Sequence, residues 1–448
     1  MALLQVPIEW VKARRAASRQ GVPTFTGWDG RTRYRIPKGA LTEVGIPAAR
    51  QAEGAETGVK AQEKEIAPQT QPSAVTIEEV DTRQRQQVRR FLDFPFRLYA
   101  GHPLWVPPLR IDAAMQLNRE RHPFYRHSDA DFFLARRGQT IVGRIAVLEN
   151  RPYNRYHNTR QAQFYLFECD DDFQAAAALF DRAAEWATAR SLDTLVGPKG
   201  FGPLDGYGLL VDGYEFRPAM TMMNYNRPSY PAFVERLGFE KVVDFVSCYL
   251  ERDRFHLAPR VRRVAERAAA RSGLRVVRFR SKGELRAWAD RIGDAYNRAF
   301  VANWEYYPLS REEIRFLTDS LLAVADPRLI KIIARGDEVV GFLFAFRDVS
   351  AALQRGGGRL NPLSILDLLW EMRRTKWVAI NGAGVLPEIQ GRGGNALLYS
   401  EMEKTIREAG FRHADLTQVA ESAVQMRSDL ETIGGVAYKN HRVYARAL

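Results

Sequence analysis

The sequence has few cysteines and no long apolar runs, and each shortage excludes a class of protein. Its 448 residues include two cysteines, Cys169 and Cys248, which are too few for a disulfide framework and lack the spacing of a metal site. No apolar run reaches membrane-spanning length, and the N-terminus has no apolar segment like that of a signal peptide. We therefore expect a reducing, cytoplasmic location and no metal ion.

The chain also has fewer acidic residues than basic ones. It contains 66 Lys and Arg against 53 Asp and Glu, which gives a formal net charge of +13. Such a balance suits anionic partners: nucleic acid, an anionic bilayer or a phosphorylated cofactor. Because the arginines are spread along the chain, nucleic-acid binding would rest on charge alone, and we do not expect it.

Length and composition divide the chain into parts. Residues 46–74 contain no aromatic residue and are rich in Ala, Glu, Gln and Pro, which predicts a disordered linker at the end of an N-terminal extension, residues 1–74. Residues 75–255 and 273–448 then repeat one order of predicted strands and helices. A basic helix at 256–272 joins them. Such a repeat indicates an internal duplication, and hence two domains.

A glycine-rich loop lies in the second repeat, where a buried strand meets a helix. The stretch is VLPEIQGRGGNALLYSEMEKTIREAG, from Val385 to Gly410. Backbone N–H groups at a helix N-terminus attract anions, and glycine lets a ligand approach closely. We therefore predict a phosphate or pyrophosphate site. No Lys–Ser/Thr pair follows the last glycine, so it is not a Walker A loop, and too little chain follows for a dinucleotide-binding domain.

The same stretch resembles the Gln/Arg-x-x-Gly-x-Gly/Ala signature of the GCN5-related N-acetyltransferase (GNAT) superfamily. The matched residues are Gln390, Gly391, Arg392, Gly393 and Gly394. Asn395 stands in place of the last Gly/Ala, and we expect it there because asparagine tolerates left-handed backbone angles. The segments DLTQVAESAVQM and YKNHRVYARAL resemble the later elements of the family. Two departures are Ala423, where an asparagine is usual, and Leu430, where many members carry a tyrosine that protonates the coenzyme A thiolate.

The resemblance covers about residues 75–448 and is closest to bacterial tandem two-domain members of the superfamily. It implies the α/β (α+β) class, with two tandem GNAT-like domains, each a mixed, mostly antiparallel sheet flanked by helices. It also implies an N-acyltransferase that uses acetyl-CoA or another acyl-CoA as substrate and an amine as acceptor. The loop would hold the pyrophosphate of the CoA, and backbone amides near Gly384 and Val385 would polarise the thioester carbonyl. At the equivalent loop of the first repeat, Asp170, Asp171 and Asp172 would repel a pyrophosphate, so we expect that domain to lack a cofactor.

Four residues are candidates for proton transfer. Glu305 and Glu421 are candidate general bases for the amine, acting through water. Tyr438 and Tyr444, on the predicted closing strands, are candidates to protonate the thiolate in place of Leu430. Each also fits a structural role, as a surface carboxylate or a packed ring.

An inserted segment, NPLSILDLLWEMRRTKW, precedes the cofactor strand. Asn361 and Pro362 predict the start of a helix with an apolar face and basic residues at its end. The helix could cover a long acyl chain, lie peripherally on an anionic membrane, or pack as a lid on the other domain.

Three functions remain open at this point. The first is transfer of an acetyl or longer acyl group from CoA to an amine. The second is long-chain transfer to a lipid or sphingoid-type amine, which predicts a deep apolar tunnel and an affinity for bilayers. The third is a catalytically inactive acyl-CoA-binding or sensor protein. The sequence does not indicate the oligomeric state or the identity of the acceptor.

Overall fold

The structure, a computed structural model, describes residues 24–26, 32–34, 74–218, 223–255, 257–271, 273–304 and 306–448. The predicted linker at 46–74 lies outside these residues except for Ala74, and the candidate base Glu305 lies outside them as well. Within the extension, strands β1 (Thr24–Thr26) and β2 (Thr32–Tyr34) pair with each other.

The first repeat alternates strands with helices from residue 75 to residue 251. Its strands are β3 (Val75–Glu79), β4 (Asp129–Arg137), β5 (Thr140–Glu149), β6 (Gln161–Cys169), β7 (Thr194–Gly197), β8 (Leu209–Asp212) and β9 (Glu240–Glu251). Its helices are α1 (Arg85–Leu98), α2 (Arg110–Gln116), α3 (Arg151–His157), α4 (Phe173–Thr188) and α5 (Ser229–Arg236).

Helix α6 (Pro259–Arg271) connects the first repeat to the second. The strands of the second repeat are β10 (Leu274–Val277), β11 (Ile330–Arg335), β12 (Glu338–Arg347), β13 (Trp377–Val385), β14 (His413–Ala420) and β15 (Val436–Ala447). Its helices are α7 (Lys282–Ala287), α8 (Ala289–Ala299), α9 (Arg311–Val324), α10 (Ser350–Gly356), α11 (Pro362–Arg374), α12 (Gly394–Glu408) and α13 (Val424–Thr432).

The strands of both repeats join in one sheet. In the described part of the chain the sheet has thirteen strands, in the order β10-β11-β12-β13-β14-β9-β15-β7-β6-β5-β4-β3, with β8 also paired to β15. Each repeat begins with four antiparallel strands and then adds a parallel one, β7 beside β6 and β14 beside β13. This repetition confirms the predicted duplication and the mixed, mostly antiparallel sheets.

The two repeats exchange their last strands. Strand β9 of the first repeat pairs with β14 of the second, and β15, the last strand of the second repeat, pairs with β7 and β8 of the first as well as with β9. A buried ion pair joins β9 to β15, with the Nε of Arg442 2.8 Å from a carboxylate oxygen of Asp244. The repeats therefore cannot separate without breaking the sheet, and residues of the first repeat lie beside strands of the second.

Helices cover both faces of the second repeat, because the strand side chains alternate between two apolar clusters. Val378 of β13 packs with helices α6, α12 and α13 on one face. Its neighbour Ala379 packs with helices α7 to α11 on the other face. Small side chains on α6, Ala265 and Ala268, are buried in the first cluster and let that helix approach α12 closely. The candidate site lies between these two layers.

Candidate functional site

The candidate site begins where the parallel strands β13 and β14 separate. They are paired only from Trp377, opposite His413, to Ile380, opposite Leu416. Beyond these residues β13 continues along β12, while β14 continues along β9. A wedge-shaped gap therefore opens in the middle of the sheet.

Each strand has a bulge at the point of separation. Residues 381–382 have no register partner on β12, and Gly382 has a φ of 90°, which favours glycine. The ladder from β14 to β9 shifts after Leu416, and Gln418 there has a φ of 49°. Bulges interrupt the ladder and turn backbone groups away from it. Here they interrupt both ladders next to the gap, and the N–H of Gln418 donates instead to the Oγ of Ser247 at 3.0 Å.

The glycine-rich loop lies at the wide end of the gap. Gly393, with a φ of 90°, is the N-cap residue of α12, and no side chain caps the helix. A β-carbon on Gly393 would lie 2.9 Å from the Cβ of Ala268 and 3.0 Å from Cγ1 of Val264, so α6 leaves space for glycine alone. Gly391 has a φ of 71° but open space around it. The first-turn N–H groups of a fifteen-residue helix thus remain available to an anion.

The structure corrects the expectation for Asn395. The left-handed residues of the loop are Gly391 and Gly393, whereas Asn395 is the second residue of helix α12. Its side chain is a hydrogen-bond partner of Asp429 on α13. Burial raises the pKa of Asp429, and the hydrogen bonds that it accepts, including that from Asn395, oppose the rise. Asparagine at this position therefore joins α12 to α13, and it does not form the turn.

The equivalent helix of the first repeat is capped by its own side chain. Asp172 is the N-cap residue of α4 and accepts a hydrogen bond from the N–H of Ala175 at 3.1 Å. Arg137 pairs with the same carboxylate at 2.5 and 3.0 Å and holds the pKa of Asp172 below its usual range. The protein's own carboxylate thus occupies the place that an anion would take. That the first repeat binds no cofactor stays a prediction.

A cavity of about 1220 Å³ extends through the gap between β13 and β14. On the side of α12, the glycine-rich loop and α6 form its wall, together with the arginines Arg252, Arg260, Arg407 and Arg412. On the opposite side, apolar residues of α8, α9 and β12 line a chamber; examples are Ile292, Tyr296, Phe300, Leu317, Leu321 and Phe344. The cavity therefore extends from the glycine-rich loop at the N-terminus of α12 to an apolar chamber, and the arginines lie near the C-terminal end of the same helix.

The first repeat supplies part of the cavity wall through the loop that follows β7. Pro203, Leu204, Asp205 and Tyr207 line the cavity. The side chain of Gln418, on β14, holds this loop, because its Oε1 accepts from the N–H of Tyr207 at 3.1 Å and its Nε2 donates to the carbonyl of Tyr207 at 2.8 Å. Both repeats thus build one site.

Asp205 is the acidic residue in that loop. Its Oδ2 accepts hydrogen bonds from the backbone N–H groups of Phe201, at 2.6 Å, and Gly202, at 3.0 Å. Burial outweighs these bonds and raises the pKa of Asp205 to about 6. The carboxyl group is therefore ionised at neutral pH, yet it binds a proton more readily than an ordinary aspartate.

Most residues predicted to hold a cofactor lie on the cavity wall. These are Gly384, Val385, Gln390, Gly391, Gly393, Gly394 and Asn395. Arg392 is exposed on the outer side of the loop and is not part of the wall. The binding role of all eight residues stays a prediction.

The candidate base Glu421 lies between Ala420 and Ser422, which are on the cavity wall, but its own side chain is not part of that wall. One carboxylate oxygen lies 2.9 Å from the Nζ of Lys241, and the other accepts a hydrogen bond from the N–H of Asp244 at 3.1 Å. Both partners lie on β9. The side chain thus connects two neighbouring strands, and its role as a general base stays a prediction.

The two candidate tyrosines are also away from the wall. Tyr438 is buried on β15, donates a hydrogen bond to Asp415 and accepts one from the Nζ of Lys439 at 2.8 Å. Tyr444 packs in the core of the first repeat and donates to Glu235 at 2.9 Å. Tyr444 lies in the first repeat because strand exchange places the end of the chain there.

Sequence reasoning missed Asp205 and Gln418 as parts of the site. The glycine-dense stretch GPLDGYG around Asp205 was a signal of a tight loop. It lies in the repeat without a phosphate loop, however, and only the pairing of β9 with β14 brings it to the cavity.

Comparisons with known proteins agree with this geometry. A solved GCN5-related glucosamine N-acetyltransferase region, from a fungal multi-domain β-N-acetylglucosaminidase, aligns with a TM-score of 0.51 and 12% identity, over 84% of this chain and 38% of that chain. The chain is a tandem protein of the GNAT fold. No family model matches it.

Two bacterial sequences resemble this GNAT-fold chain over most of their length. The bacterial ceramide synthase of Caulobacter vibrioides is 28% identical over 369 residues, which is 81% of this chain and 95% of that protein. Protein YghO of Escherichia coli is 24% identical over 373 residues, which is 81% of this chain and 94% of that protein. The fold confirms the resemblance that the glycine-rich loop suggested.

Proposed function

We propose that the protein is an acyl-CoA-dependent N-acyltransferase that moves a long acyl chain from coenzyme A to the amine of a lipid or sphingoid-type base. One observation carries this proposal: a single cavity crosses the sheet from an uncapped, glycine-rich helix N-terminus to an apolar chamber. The likeness to a bacterial ceramide synthase supports the same class of acceptor.

The loop end of the cavity suits the CoA part of the donor. A pyrophosphate at the N-terminus of α12 would accept hydrogen bonds from backbone N–H groups and benefit from the helix dipole. Arg252, Arg260 and Arg412 also line the cavity, but near the C-terminal end of α12, so we do not assign them to the pyrophosphate. The pantetheine arm would then extend between β13 and β14, where neither strand has the other as a partner.

The apolar end suits a long chain better than an acetyl group. The volume of about 1220 Å³ exceeds the usual range of roughly 300–1000 Å³ for small-molecule sites. Aromatic and aliphatic side chains of α8, α9 and β12 form the chamber, and this apolar lining supports the proposal of a long chain. Burial of an alkyl chain stabilises the complex by about 0.8 kcal/mol per CH₂ group.

The chemistry is a direct attack of the amine on the thioester carbonyl. The new C–N bond forms as the C–S bond breaks, and the thiolate of coenzyme A leaves. Asp205 takes the proton that the amine nitrogen loses, because this residue lies on the cavity wall and its raised pKa makes it a better base. Backbone N–H groups of the β13 bulge at 381–382, or near Gly384, polarise the carbonyl.

Product analysis by mass spectrometry tests the proposal. The purified protein is incubated with acetyl-CoA or palmitoyl-CoA and with sphinganine or a short alkyl amine. We expect the amide of palmitate and sphinganine as the main product. Acetylated short amine as the main product would refute the chain-length assignment. Binding of palmitoyl-CoA without turnover of either amine would favour an inactive acyl-CoA sensor. The buried Leu430, where many GNAT enzymes carry a tyrosine that protonates the thiolate, is consistent with that function.

The variant Asp205→Asn tests the assigned base. We expect kcat to fall about 10²–10⁴-fold, the range for loss of a general base, while the affinity for palmitoyl-CoA stays unchanged. Asp212→Asn is the matched control, because Asp212 is an exposed aspartate of the same repeat outside the cavity wall. Equal activity in the two variants would exclude Asp205 as the base.

A further inference from the structure

Helix α11 presents a broad apolar arc to solvent. The exposed fractions are 78% for Leu363, 63% for Leu366 and 48% for Trp370. Leu360, Ile365 and Leu369 are also more than 40% exposed. Residues three and four apart lie on one side of a helix, so these side chains form a continuous surface, which we call the α11 surface. Contiguous exposed apolar patches of this kind mark interaction sites.

The helix is held firmly with this surface outward. Its N-terminus has a capping box in which Asn361 and Ser364 bond to each other's backbone N–H groups. On the inner side, Leu368 and Met372 pack into the apolar cluster of α7 to α11. On the flank, Arg355 pairs with Asp367 and Glu371 and offsets one of their two negative charges. The α11 surface is therefore part of a fixed helix.

Exposed basic residues border the same surface. Arg373 and Arg374 extend from the last turn of α11, and the guanidinium of Arg374 lies 4.1 Å from the ring centroid of Trp370. Arg359 precedes the helix and Lys376 follows it, and both are exposed. An apolar arc with arginines beside it is typical of helices that lie in the plane of a membrane interface.

We propose that the α11 surface docks on an anionic phospholipid bilayer. The leucines and Trp370 enter the boundary between headgroups and acyl chains, while the arginines contact lipid phosphates. A second copy of the chain fits less well, since a symmetric contact would bring the basic groups of both copies together. Among the described residues no helix has the length and apolarity to cross a bilayer, so the attachment is peripheral. The net charge of +13 favours attraction to an anionic bilayer in general.

Docking at α11 would also bring the cavity near its substrates. Leu368 and Met372 belong to the same apolar cluster as Tyr296, Phe300 and Phe344, which line the chamber. The membrane-facing helix and the chamber wall are thus parts of one packed layer. The docking proposal does not depend on the proposed acyl transfer and can be tested without any substrate.

Vesicle flotation with the full chain tests the proposal. We expect the protein to float with phosphatidylcholine vesicles that contain about 30% phosphatidylglycerol, and to bind pure phosphatidylcholine at least about tenfold more weakly. Raising the salt to about 0.5 M should weaken binding to the anionic vesicles.

Substitutions identify the surface responsible. Leu366→Ser together with Trp370→Ser should lower partitioning about tenfold or more. Ile111→Ser removes an equally exposed apolar side chain from α2 and is the matched control. Arg373→Gln with Arg374→Gln should lower binding to anionic vesicles and leave the weak binding to phosphatidylcholine unchanged.

Two results would overturn the proposal. One is an absence of wild-type flotation with anionic vesicles; the other is equal flotation of the wild type and the Leu366→Ser, Trp370→Ser variant. A wild-type dimer that this variant converts to a monomer, without vesicle binding, would assign the surface to a second copy of the chain instead. None of these results changes the outcome of the product assay, so the docking proposal and the proposed acyl transfer can be refuted separately.

Discussion

Gly391 allows a direct test of whether the loop binds an anion. A β-carbon at this position meets no atom within 4 Å, so a new side chain causes no clash. Its φ of 71° is left-handed, which costs a residue other than glycine about 1–2 kcal/mol, and least for Asn and Asp. The pair Gly391→Asp and Gly391→Asn is nearly isosteric and shares this backbone cost. The two variants therefore differ mainly by one negative charge at the loop.

The expected size of the effect follows from Coulomb's law. A carboxylate about 6 Å from one phosphate charge, at an effective dielectric constant of about 20, costs about 2.8 kcal/mol. That energy is a loss of affinity of about 100-fold, and screening at physiological salt lowers it toward about tenfold. Gly391→Asn should bind coenzyme A within about threefold of wild type, because it adds no charge.

Calorimetric titration with coenzyme A and palmitoyl-CoA measures the affinities, and thermal unfolding verifies that both variants fold equally well. A similar loss in Gly391→Asn and Gly391→Asp would show that charge is not the cause. Unchanged affinity in both variants would refute the assignment of the loop as the pyrophosphate site.

Three further predictions concern aspartates. Asp172→Asn should lower the free energy of unfolding by about 1 kcal/mol, because it weakens the cap of α4 and the ion pair with Arg137. The affinity for palmitoyl-CoA should not change. A loss of that affinity would assign a cofactor role to the first repeat. Hydrogen bonds from Arg328 and Arg347 outweigh burial and lower the pKa of Asp326 from 3.8 to about 2. The ionised carboxylate therefore stabilises the fold above pH 4 by about 2 kcal/mol. This contribution disappears as the pH falls through about 2. Denaturant unfolding of Asp326→Asn should show a flatter pH dependence in that window, and an unchanged slope would contradict the assignment. Burial raises the pKa of Asp205 to about 6. The stability that the protonated carboxyl group contributes at low pH is therefore lost as the pH rises through 6. Asp205→Asn should have a higher Tm than wild type at pH 8 but not at pH 4.

Local signals in the sequence predicted the elements that local chemistry controls. The glycines of the loop predicted the uncapped start of α12, and the fold class followed from the resemblance that those residues carry. Asn361 and Pro362 predicted the start of α11, and both occupy the expected cap positions. These features depend on backbone angles and on hydrogen bonds within a few residues, so the sequence determines them directly.

The sequence did not predict the surroundings of Glu421 and Tyr438, for a physical reason. Glu421 and Tyr438 lie near the right strands in sequence, but their partners, Lys241 and Asp415, come from other strands of the sheet. The first pair is 180 residues apart and the second is 23 residues apart, and in both cases the pairing of strands decides which groups become neighbours. Asp205 likewise lines the cavity because strands that are distant in the sequence pair with each other.

By itself, the sequence determined the duplication, the loop and the character of α11, because periodicity, glycine and capping residues act over one or two turns of chain. Only the tertiary structure decided that the two repeats share one sheet, that β9 lies between β14 and β15, and that a loop of the first repeat forms the wall of a cavity in the second. The reason is that strand exchange is stabilised by long-range backbone hydrogen bonds and by shared apolar packing. Those interactions bring Asp205, Gln418 and the phosphate loop together although more than 180 residues separate the first from the other two.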